Sequence, residues 1–132
     1  LSRDRVEVVD RGTGRAGEPP RDLGAMTDFR IMLHAEQADA LAAGEVRSLG
    51  LIGAIELVKD KAKRKSFEQV GEVGLICREH CFRNGLVMRA TRDTMLISPP
   101  LTWTKANVDE FMTLTRKALD LTLADVRKKG WL

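Results

Sequence analysis

Side chains that can pack recur along this chain with two periods, and the periods predict its elements. Over residues 105–129, Val108, Phe111, Met112, Thr115 and Leu119 return every three or four positions, which predicts a long amphipathic helix with Thr104 as its N-cap. Residues 67–83 carry Val70, Val73, Cys77 and Cys81 at the same spacing and run into Asn84-Gly85, which predicts a second helix and its stop. The short apolar runs 86–88 and 94–98 flank Arg92-Asp93, so the two runs read as a β-hairpin. Pro99 and Pro100 then remove two backbone donors, and the sheet has to end there.

Upstream, residues 46–58 are almost continuously apolar around Gly50 and Gly53. They read as two adjoining strands, or as one long strand bent at glycine. Residues 26–43 have helical spacing at Leu33, Ala40 and Leu41, with Gly44 as the stop. Residues 1–24 pass through RGTGRAGEPP and read as a linker or surface loop. Gly12-Thr13-Gly14 lacks both the third glycine and the following helix of a dinucleotide-binding turn. The order helix, strand, helix, strand, strand, helix predicts an α+β domain: a small, largely antiparallel sheet with helices packed on one face.

Length and composition allow one ordinary domain plus a tail, since 132 residues with 43% apolar side chains can bury a core. There is no tyrosine, and two tryptophans with four phenylalanines do not make a stacking platform for single-stranded nucleic acid. No run approaches the length of a membrane span, and the first residues lack an apolar signal core. A cytoplasmic protein that engages neither nucleic acid nor membrane is therefore expected. Residues 1–44 carry a net charge of −2 and residues 45–132 a net charge of +5, so the basic excess lies in the part expected to fold. Much of it is in Lys59, Lys61, Lys63, Arg64 and Lys65, which read as a solvated loop and, in the alternative, as a docking site for an acidic ligand or partner.

Cys77, Cys81, His80 and His34 have the count of a zinc site but not its spacing. His80 lies about 100° around the helix from Cys81, and His34 belongs to another segment, so small buried thiols are the expected state. Nucleophilic catalysis by an amine would need a lysine fixed at a strand end and partly desolvated. The lysines here fall in a polar loop or on a solvated helix, so no catalytic and no metal-binding residue is assigned.

Three blocks carry a resemblance: EVRSLGLIGAIELVKDK (45–61), GLICREHCFRNGLVMRATRDTMLISPPL (74–101) and TKANVDEFMTLTRKALDLTLADV (104–126). Together they resemble the C-terminal small domain of class III pyridoxal-phosphate-dependent aminotransferases, in particular the ω-amino acid:pyruvate branch. The resemblance places the domain at residues 45–132 and leaves 1–44 as an unmatched linker and helix segment. It implies transfer of an amino group between an ω-amino acid or amine and pyruvate or a similar keto acid. It also implies pyridoxal phosphate held mainly by a large domain of the same subunit, a homodimer at full length, and an inactive chain when that large domain is missing. Arg89 matches the arginine that takes the substrate carboxylate, a role suited to a planar donor fork on a fixed strand. The competing expectation is that Arg89 pairs with Asp93 or Glu56. Arg92 stands where the family has glycine or another small residue, which leaves the geometry of the hairpin tip open.

Overall fold

The computed structural model describes residues 43–49 and 52–132. The predicted helix at 26–43, apart from Ala43, which opens a strand, lies outside the described residues, as do the linker before it, Gly50 and His34. The elements are β1 (Ala43–Leu49), β2 (Ile52–Leu57), α1 (Glu72–Arg83), β3 (Arg89–Thr91), β4 (Thr94–Ile97) and α2 (Lys105–Lys128). All strand pairs are antiparallel, in the order β1-β2-β4-β3. This is the expected α+β architecture.

Alternation along the strands divides the sheet into a packed face and a helix-free face. Ile55 and Leu57 of β2 join Met95 and Ile97 of β4 in the core. Val73, Cys77 and Cys81 of α1 and Val108, Phe111, Met112, Ala118, Leu119 and Val126 of α2 complete it. The five core positions read from the spacing of α2 are all buried, and Trp103 packs its ring 5.3 Å from that of Phe111. Thr104 caps α2 as expected: its hydroxyl oxygen accepts from Asn107 N–H, and Asn107 Oδ1 accepts from Thr104 N–H in return.

Both helices end in the same way. Leu86 N–H donates to Cys81 O at 2.9 Å and Gly85 N–H to Phe82 O at 3.1 Å, with Gly85 at φ +79°. Trp131, Gly130, Val126 and Arg127 repeat the arrangement behind α2, with Gly130 at φ +69°. Trp131 is consequently folded back against the core, not left as an exposed tail residue.

Three boundaries depart from the sequence expectation. Helix α1 begins at Glu72 instead of 67, and Val70 is 64% exposed. The start is set by a tertiary contact, the Asp93 carboxylate, which periodicity does not register. Strand β3 begins at Arg89, not at 86. Leu86 is committed to closing α1, and the register would set Val87 against Ser98, beyond the end of β4, so Val87 stays 80% exposed. Gly44, expected to stop a helix, lies within β1 at a register shift, where a Cβ would meet Val58 Cγ2 at 2.4 Å.

The basic segment folds into a tight exposed turn closed by the Asp60–Lys65 bridge, with Arg64 at φ +49°. Replacing Lys61, Lys63 and Lys65 together with serine is expected to change unfolding free energy by no more than about 0.5 kcal/mol, as for ordinary surface positions. Urea denaturation of the 132-residue chain checks this, and a loss of several kcal/mol would assign these lysines a structural role.

Candidate functional site

The helix-free face is built of cross-strand rows. Arg89 of β3 lies opposite Leu96, Leu96 opposite Ala54, and Ala54 opposite Arg47. Two residues along the strands, about 7 Å away, the next row runs Thr91, Thr94, Glu56, Glu45. Arg89 is therefore exposed on a rigid strand beside the half-buried apolar pair Leu96 and Ala54. Among the described residues it forms no ion pair.

Asp93, one of the two partners expected for Arg89, is engaged elsewhere. Its carboxylate is buried, with Oδ1 accepting from Gly74 N–H at 2.9 Å and Oδ2 from Gly71 N–H at 3.0 Å. A negative group at two free amides of a helix N-terminus satisfies them and favours the local dipole. The Asp93 carbonyl also accepts from Leu57 N–H at 2.8 Å, so the hairpin tip is tied to α1 and to β2 at once. Glu56, the other expected partner, sits two strands over and one row down, roughly 12 Å from Arg89 between Cα positions on standard sheet spacings. Neither carboxylate pairs with Arg89.

Arg92 takes φ +52°, the left-handed conformation that glycine adopts freely and other residues at a cost. Its carbonyl packs against the first turn of α1, where a Cβ on Gly74 would come within 1.9 Å of it. The chemistry of this position is thus conformational: it lets a two-residue connection turn under the helix.

A cavity of about 470 Å³ opens beside the Arg89 row, with Glu56, Thr91, Thr94 and Leu96 of the helix-free face in its wall. Arg89 borders it without lining it.

The remaining reactive side chains are structural in their contacts. Cys77 and Cys81 are free and buried one turn apart, and the hydrogen bond with Cys77, together with burial, pushes the Cys81 thiol up. His80 Nε2 lies 2.7 Å from Asp125 Oδ2, joining α1 to α2. Among the described residues no group of three His, Cys, Asp or Glu side chains could hold a metal ion, and no helix is long and apolar enough to cross a membrane. Lys59 is half-buried and 3.9 Å from Glu68, and the other seven described lysines are exposed on the turn or on and just after α2. Lys59 stands two residues past the end of β2 with its ammonium group turned to Glu68.

The apolar run 86–88 left Arg89 just past the expected strand; the family resemblance singled it out as strand-borne, and it is the first residue of β3. Sequence reasoning missed Asp93 as a helix cap and Gly74 as a close-packing point. The signal for the latter was present, since an isolated glycine inside a helical pattern marks close approach of another backbone.

No family model matches the chain. Putrescine–pyruvate aminotransferase of Pseudomonas aeruginosa is 55% identical over 91 residues, which are 69% of this chain and 20% of that protein. The crystal structure of an omega-transferase from Vibrio fluvialis superposes with a TM-score of 0.74 at 30% identity, over 80% of this chain and 25% of that one. The PMP-bound form of an aminotransferase from the same organism gives 0.72 at 30% identity, over 78% and 23%. The chain spans between a fifth and a quarter of the length of these three proteins. The 55% identity over 69% of the chain, together with the fold shared with the two Vibrio structures, shows that the chain belongs to the class III pyridoxal-phosphate-dependent aminotransferases, as their C-terminal portion.

Proposed function

We propose that residues 45–132 form the C-terminal small domain of a subunit that moves an amino group between an ω-amino acid or amine and pyruvate or a similar keto acid. Within that subunit Arg89 binds the substrate carboxylate. The observation that carries this reading is the setting of Arg89: a strand-mounted guanidinium, without an ion-pair partner among the described residues, beside an apolar floor on the helix-free face. A guanidinium fork in that setting fits a carboxylate through two parallel hydrogen bonds. The Pseudomonas relative bears the names of a terminal diamine and of pyruvate, which supports an amine donor and a keto-acid acceptor.

Bound pyridoxal phosphate would supply the electron sink for amino transfer. As the family resemblance implies, the cofactor and its lysine are assigned to a large domain of the same subunit, and the full-length enzyme to a homodimer. The part played by this chain is to present Arg89 to the carboxylate and to hold it at a fixed height above Leu96 and Ala54.

Borohydride reduction in the presence of pyridoxal phosphate tests this division. The 132-residue chain is expected to give only scattered substoichiometric labelling and no amino transfer, whereas the full-length subunit should trap one cofactor at a single lysine and convert pyruvate with a terminal amine. A stoichiometric adduct on one lysine of the 132-residue chain would overturn it.

A further inference from the structure

The function proposed above leaves the cavity beside the Arg89 row unused. Its acidic wall residues are Glu56 and Asp93. Both oxygens of Asp93 are held by the Gly71 and Gly74 amides, so that carboxylate is satisfied within the fold. Glu56 is different: among the described residues its carboxylate has no ion-pair or hydrogen-bond partner, although it is half-buried.

Glu56 also lies directly opposite Glu45 across β1 and β2. Facing like charges at cross-strand distance are unfavourable, and a cation placed against either one relieves the repulsion. Arg92 borders the same cavity but forms no ion pair with Glu56. The rest of the wall suits an aliphatic chain ending in an ammonium group. Leu96 and Val70 supply apolar surface, and the hydroxyls of Thr91 and Thr94 can accept from the ammonium protons that Glu56 does not take.

We infer that this cavity is an alkylammonium subsite in which Glu56 takes the far ammonium of a diamine donor. Arg89 and Glu56 then divide one face by charge, with the carboxylate of the acceptor on one row and the unreacted cationic end of the donor on the next. The donor role rests on the aminotransferase reading, whereas ammonium binding in the cavity does not.

Two measurements separate the two claims. In the 132-residue chain, titration with butylammonium is expected to shift the amide resonances of Val70, Thr91 and Thr94, while butanol and sodium butyrate at matched ionic strength leave them in place. Glu56→Gln should abolish the shifts while folding at least as well as the parent, since it removes one member of the facing carboxylate pair. Shifts that persist in Glu56→Gln, or that butyrate produces equally, would overturn the subsite, as would no shift at all.

In the full-length holoenzyme, Glu56→Gln is expected to lower kcat/KM for 1,4-diaminobutane by about ten-fold or more, the usual effect of losing a charge-assisted hydrogen bond. Butylamine, whose single nitrogen is the reacting one, should change less than about two-fold. Equal losses for both amines, or none for the diamine, would overturn the donor role. If the resonances shift as expected and the holoenzyme transfers no amino group from any amine, the aminotransferase reading fails and the ammonium subsite stands.

Discussion

Gly74→Ala is expected to destabilise the domain by about 3 kcal/mol or more, at the upper end of what overpacking costs. The added Cβ would sit 1.9 Å from Arg92 O, 2.9 Å from Arg92 C and 3.1 Å from Asp93 Cα. All three are backbone atoms, so no side chain can rotate out of the way. Nor can the hairpin tip retreat cheaply, because Asp93 is fixed by two carboxylate hydrogen bonds to α1 and one carbonyl hydrogen bond from β2. Moving the tip by an ångström or more would break contacts that satisfy buried amides, each costing about 1 to 3 kcal/mol when left open. Gly85→Ala provides the comparison. Nothing lies within 4 Å of the point where its Cβ would stand, so only the left-handed φ of +79° is penalised, by about 1 kcal/mol. Urea denaturation of both variants checks the ranking, and a Gly74→Ala cost below that of Gly85→Ala would contradict the close contact.

Periodicity made the fold largely legible wherever an element is governed by one apolar stripe. Helix α2 is the clearest case: Thr104 caps it, and Val108, Phe111, Met112, Thr115 and Leu119 face the core. The β3–β4 hairpin was legible from Arg92-Asp93 between apolar runs, and its end from Pro99 and Pro100. The boundaries that moved are those fixed by partners distant in sequence. Helix α1 starts where Asp93, some twenty residues downstream, meets its amides. Leu86 left the strand because its N–H is needed to close the helix before it. No local pattern encodes either contact.

The candidate site was legible in part, for the same reason. The family resemblance pointed to Arg89 as strand-borne, whereas its flanking residues put the strand at 86–88, just before it. Which face it occupies, and which carboxylates it avoids, follow only from the register that sets Arg89 against Leu96 and Glu56 against Thr94 and Glu45. Glu56 looked like a partner for Arg89 in the sequence; the sheet places it one row away, in the wall of a cavity.

The central claim is that Arg89 holds the substrate carboxylate, and the full-length enzyme carrying Arg89→Ala tests it most directly. A hydrogen bond to a charged group contributes about 1.5 to 3 kcal/mol, so kcat/KM for the keto acid should fall by about ten- to a hundred-fold or more. An apolar amine donor offers no carboxylate to this residue, and kcat/KM for such a donor should be spared. Arg89→Lys should recover only part of the keto-acid activity, because an ammonium group cannot reproduce the planar fork. The deciding quantity is the ratio of the two kcat/KM values in variant and parent. A fall in that ratio of ten-fold or more is the predicted result, and equal losses for keto acid and amine would contradict it, assigning Arg89 to the fold instead of the substrate.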